Sequence, residues 1–154
     1  MRKRKAEEEL KQASTHIYYE IWMLNETAKI VCPDNLVINN SLIESFGIHA
    51  RCILDFLCKD TGKEDDILAI DFFDDPKEWS QYIKEKSSML DEINTRVGKE
   101  LAHLTYARLK VTLEEKRWNK KKIVREINVL FKYFLEKIPK SKFCNELVQL
   151  ENII

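Results

Sequence analysis

The stretch "NNSLIESFGIHARCILDFLCK", Asn39 to Lys59, decides the fold class, because it reads as a helix buried around most of its circumference. Stepping about 100° per residue, Leu42, Phe46, Ala50, Ile53 and Leu57 make one apolar face, and Ile48, Cys52 and Phe56 widen it. The gap that remains holds Glu44, Arg51 and Asp55 within about 40° of one another. Arg51 and Asp55 are spaced to pair along the helix surface. The strip is therefore either a narrow solvated face or one wall of a polar groove.

Working outward, a first helix is predicted over about residues 4 to 31. It has charged early turns, and a core-facing run, "HIYYEIWMLNETAKIV", that begins at His16. It stops before "CPDN", where Pro33 restricts the residue ahead of it and Asp34-Asn35 favours a turn. The polar link "KDTGKEDD", with Gly62, closes the second helix. "ILAIDFFDDPKEW" is expected to be irregular, with a turn at Asp75-Pro76. A third long helix is predicted over about Lys77 to Leu113, with a break near Ser87-Ser88, and a fourth over about Asn119 to Lys137, ended by Pro139. The tail from Ser141 to Ile154 is expected to add a short amphipathic helix. The whole is expected to be an all-α, up-and-down four-helix bundle with extra short helical or irregular segments, in a single domain covering residues 1–154.

Composition points the same way. Only 3 glycines and 3 prolines among 154 residues suit helices better than a turn-rich β sandwich. Lys+Arg and Asp+Glu each total 26, so there is no whole-molecule field to attract nucleic acid or an anionic surface, and such binding needs a local patch. Cys32, Cys52, Cys58 and Cys144 have neither C-x-x-C nor zinc-type spacing and are expected to be reduced thiols. The basic start "MRKRKAEEELK" has no apolar stretch behind it and no run is long enough to span a bilayer, so a cytoplasmic location without membrane contact is expected.

In a helical bundle, sites are built from polar side chains that interrupt apolar faces. The third helix has a core face of Leu90, Ile93, Val97, Leu101 and Leu104, and within it "RVGKELAHLTYAR", Arg96 to Arg108, places Arg96 and His103 about 20° apart on one flank. Two α-turns, about 10 Å of axis, separate them. Such a pair either spans a substrate phosphate or meets its counterpart across a two-fold axis, which is the reason to expect a homodimer.

This segment resembles the signature of the HEPN superfamily, helical-bundle domains marked by an arginine followed some four to six residues on by a histidine. Arg96 and His103 fit, with Val97 to Ala102 between them, and "ESFGIHARCILDF" resembles the preceding helix of uncharacterised bacterial HEPN-like proteins. The likeness covers about residues 39 to 135. Val97 stands where many active members carry a polar residue. The resemblance implies a metal-independent endoribonuclease of toxin–antitoxin, phage-defence or RNA-processing type, with no cofactor and with RNA as substrate. It implies equally a non-catalytic module that binds RNA or a protein such as a nucleotidyltransferase-like antitoxin.

Chemically, RNA cleavage without metal needs a proton-transfer group and a cation for charge on the phosphorane. Histidine titrates near neutrality, and arginine presents a planar, permanently charged fork. His103 is the expected general base or acid and Arg96 the phosphorane-stabilising cation. Glu100, one turn from Arg96, is placed to orient it, and Lys99, Tyr106 and Arg108 are placed to touch the RNA. Glu44, Arg51 and Asp55 are expected to border the same groove. In "KRWNKKKIVRE", Lys116, Arg117, Lys120, Lys121, Lys122 and Arg125 surround Trp118, a pattern able to track phosphates and stack one base. Two other readings stay open. One is a metal site made by convergence of His16, His49 and His103, or by Glu100 and His103 as half of a di-iron motif. The other is a docking helix carrying Tyr18, Tyr19 and Trp22.

Overall fold

The computed structural model describes residues 3–84, 88–102, 106–110, 112 and 118–150. Among them there is no strand, and the protein is all-α. Three helices are long: α1 (Glu7–Lys29), α2 (Leu36–Cys58) and α5 (Lys120–Lys137). Shorter ones are α3 (Pro76–Lys84), α4 (Ser88–Arg96) and α6 (Asn145–Leu150). None of the described helices is long and apolar enough to cross a membrane.

α1 follows an extended Ala6, whose N–H donates to Glu9 Oε2 at 3.0 Å, and Glu7, Glu8 and Glu9 complement the positive end of the helix dipole. Its buried side chains, Leu10, Ser14, Ile17, Ile21 and Leu24, recur every three or four residues on one face. Ser14 is the polar member of that stripe. Its hydroxyl donates to Lys11 O and accepts the Cys144 N–H, each at 2.7 Å, which ties the chain before α6 to α1. Asn25 and Asn128 exchange amide hydrogen bonds of 3.3 and 2.9 Å between α1 and α5.

α2 packs more extensively on α1 than any other element does. It begins a turn earlier than its amphipathic pattern suggests. Asn35 Oδ1 accepts the Ile38 N–H at 3.1 Å and caps the helix, but Leu36, Val37 and Ile38 all face solvent and so hide that first turn from any periodicity argument. Asn119 caps α5 in the same way through Lys122 N–H.

After α2, Gly62 permits Asp66 to fold back onto the Lys63 N–H, since a Cβ there would stand 2.5 Å from Asp66 Oδ2. The segment expected to be irregular contains a 3-10 turn, Ala69–Phe72, which buries Ala69, Ile70 and Phe72. Asp75 Oδ1 then accepts the Lys77 N–H with Pro76 as the first residue of α3, an arrangement suited to proline's missing donor. Trp79 from α3 enters an aromatic core with Phe72, Phe73, Tyr82, Tyr133 and Phe134.

The stretch expected as one long third helix departs from that expectation. α4 passes directly into a π-helical turn, Val97–Ala102, and Tyr106–Lys110 is 3-10 rather than α. Apolar spacing assumes 3.6 residues per turn throughout and cannot register a wider turn inserted within the helix. The expected break near Ser87-Ser88 lies partly outside the described residues, and α4 begins at Ser88. The expected helix in the tail is α6.

Candidate functional site

Arg96 is the last residue of α4, and the π-helical turn that follows brings Glu100 beneath it. Its Nε and Nη2 donate to Glu100 Oε1 and Oε2 at 2.9 and 3.1 Å, a bidentate pair between two largely buried side chains. The guanidinium carbon lies 4.5 Å from the centroid of the Trp118 ring. That is within cation–π range, and the partial burial of the ion pair strengthens both contacts. Trp118, expected to stack on a base, here lies against Arg96.

His103 lies outside the described residues. The π-helical turn ends at Ala102, so the 20° offset inferred for Arg96 and His103 from an unbroken α-helix does not carry across it. Lys99 sits at the surface on that turn, Tyr106 is 89% exposed, and Arg108 falls in the 3-10 segment.

Arg51 and Asp55 meet α4 from another side. Asp55 accepts from Asn94 Nδ2 at 3.0 Å and from Lys59 Nζ at 2.9 Å, whereas Arg51 Nε stands 3.8 Å away. Arg51 lies against the backbone of the π-helical turn, 3.8 Å from where a Cβ on Gly98 would be. Arg96 leaves α4 about 200° around the axis from Asn94. Arg51 and Asp55 therefore pin α2 to one flank of α4, while Arg96, Glu100 and Trp118 occupy the opposite flank. Glu44 is exposed on α2 and has no place in either cluster. The single groove expected to hold Glu44, Arg51 and Asp55 together with Arg96 is not formed by the described residues, because helical phase fixes a residue's direction but not which neighbour lies there.

Of the histidines considered as metal ligands, His16 is exposed on α1 and His49 is nearly enclosed between α1 and α2. Among the described residues no group of three His, Cys, Asp or Glu side chains is placed to hold a metal ion. Of the three aromatics considered for a docking helix, Tyr19 and Trp22 are exposed and Tyr18 packs against the core.

One cluster escaped the sequence reading. His49 Nδ1 lies 2.7 Å from Glu20 Oε2, and the Tyr19 ring stands edge-on to the imidazole at a centroid distance of 5.7 Å. The lone glutamate within "YYEIWM" was its only sequence signal. Cys52, one turn along α2 from His49, has its thiol pushed up to about 11 by burial, then by the charge of Glu20 and a hydrogen bond to it. A raised pKa keeps the thiol protonated at neutral pH, with thiolate appearing only as pH approaches that value.

Relative to an ordinary thiol at 9.0, the Cys52 thiolate fraction at pH 8 falls roughly a hundredfold. Higher intrinsic nucleophilicity offsets part of this, leaving alkylation about tenfold slower than for free cysteine. Peptide-resolved iodoacetamide kinetics should show that lag at Cys52 and a clear acceleration in Glu20→Gln. Alkylation of the parent at the free-cysteine rate would count against the Glu20–Cys52 contact.

No family model, curated protein or solved structure matches the chain.

Proposed function

We propose that this chain is a HEPN-like helical domain that cleaves RNA without a metal ion, acting in the cytoplasm in a toxin–antitoxin, phage-defence or RNA-processing role. The observation that supports this reading best is the Arg96 guanidinium, held by Glu100 and set against the Trp118 ring. A cation fixed in advance stabilises charge developing on a phosphorane without the cost of reorganising at the moment of reaction. In the reaction, His103 accepts the proton of the ribose 2′-OH as that oxygen bonds to phosphorus. The bond to the 5′-oxygen breaks, the proton goes to that leaving oxygen, and the products are a 2′,3′-cyclic phosphate and a 5′-hydroxyl. The π-helical turn between Arg96 and His103 is also of a kind found frequently at functional sites.

A second reading, a non-catalytic module that binds RNA or a nucleotidyltransferase-like antitoxin, is favoured by one specific feature. Glu100 already neutralises Arg96 within the chain, as it would in a purely structural ion pair. Incubating the purified protein with RNA in excess EDTA separates the two. The nuclease reading requires cutting with cyclic-phosphate ends and no action on DNA, whereas the module retains RNA, or ignores it, without cutting.

A further inference from the structure

The link between α1 and α2 carries the densest exposed apolar surface among the described residues. Ile30, Val31, Leu36, Val37 and Ile38 are exposed by 49%, 68%, 72%, 75% and 48%. Such aliphatics would normally collapse inward. Here an ordered turn holds them out: Asn35 N–H donates to Cys32 O, Cys32 N–H donates to Asn39 Oδ1, and Asn35 caps α2. From α5, Lys120 Nζ donates to Thr27 O at 3.0 Å and to Ile30 O at 2.9 Å, satisfying carbonyls at the end of α1. Burial there pushes the Lys120 amine below the usual lysine range.

We infer that this hairpin tip is the contact surface for a second copy of the chain. The five side chains expose on the order of 400 Å² of apolar area, the size that marks an interaction site on a monomer. Two tips face to face, with their polar rims, approach the roughly 1,000 Å² at which a specific interface begins. The rim also carries both signs of charge. Asp34 is exposed within the tip, and Lys121 and Lys122 are exposed in the same turn as Lys120. A two-fold contact is self-complementary, so it can set Asp34 of one copy against a lysine of the other. The rigid turn adds little ordering cost on association.

This surface is independent of the RNA reading. The tip is at the start of α2 and the Asp55–Asn94 contact near its end, about 30 Å away at 1.5 Å per residue. It replaces the route to a homodimer through Arg96 and His103 that helix spacing alone suggested.

Sedimentation velocity from low to several hundred micromolar tests it. The parent should shift reversibly from monomer to dimer. Leu36→Asp with Val37→Asp should weaken the dimer at least about tenfold while leaving the fold intact, since both sites are exposed and acidic residues suit a helix's first turn. Asp34→Lys and Lys122→Asp should each weaken it, and their combination should restore it. A parent that stays monomeric, a dimer indifferent to the Leu36/Val37 change, or a monomer that instead floats with phosphatidylcholine–phosphatidylglycerol vesicles would overturn the inference. RNA cleavage by the Leu36/Val37 variant is read separately and bears only on the nuclease.

Discussion

Replacing His103 by alanine is expected to remove detectable RNA cleavage, because one positioned proton-transfer group typically contributes about 10²–10⁴-fold. Arg96→Ala should come close to the same loss, as removing a preorganised donor to a charged transition state costs about 10²–10³-fold. Arg96→Lys is the more telling change. It keeps the positive charge but loses the two-pronged fit to Glu100, so a variant nearly as inactive as Arg96→Ala would mean that geometry matters beyond charge. Glu100→Gln should lower the rate less, since it removes the charge that holds Arg96 rather than Arg96 itself. All four proteins should be compared by gel in EDTA, with circular dichroism confirming that each is folded. Parent protein that leaves RNA intact from about pH 6 to 9, or a double Arg96/His103 variant that cuts like the parent, would sink the nuclease reading.

The largest expected effect on stability belongs to Trp79→Ala. Trp79 is 1% exposed, its ring lies within 5.4 to 6.2 Å of those of Phe73, Tyr82, Tyr133 and Phe134, and its Nε1–H donates to Leu57 O at 2.6 Å. Leu57 is in the last turn of α2, where carbonyls have no helical partner, so the indole joins α3 to α2 and satisfies a buried acceptor at once. Truncation to alanine should cost about 3–5 kcal/mol, a large part of the roughly 5–15 kcal/mol that holds a domain folded. At this chain length that means a melting temperature lower by roughly 6 to 20 °C. Trp79→Phe keeps most of the packing but leaves Leu57 O without its donor, and should cost about 1–3 kcal/mol. Equal melting temperatures for Trp79→Phe and the parent would show that the hydrogen bond contributes nothing net.

Much of the scaffold could be read directly from local chemistry. The spacing of Leu10, Ile17, Ile21 and Leu24 gives α1 its buried face, Asn119 caps α5, Pro76 opens α3 and Pro139 follows the end of α5. Each is a short-range rule in which a residue acts on the backbone within a turn of itself. The start of α2 was misplaced because the rule that revealed it, capping by Asn35, competed with apolar residues facing the wrong way for a core. The spacing of Arg96 and Glu100 is likewise local, and their contact follows from it.

What only the tertiary structure decided are the contacts between residues distant along the chain. Glu20 meets His49 across 29 positions, Asp55 meets Asn94 across 39, and Lys120 reaches Ile30 across 90. None is implied by periodicity, which tells each helix what to bury but not which neighbour will lie opposite. The same limit joined Arg51 and Asp55 to Arg96 in one imagined groove, although two flanks of α4 keep them apart. The π-helical turn at Val97–Ala102 changes the helical phase within the very segment that carries the motif. Its local sequence is compatible with an ordinary α-helix, and here packing against α2 accompanies the wider turn, with the Arg51 guanidinium lying against Gly98.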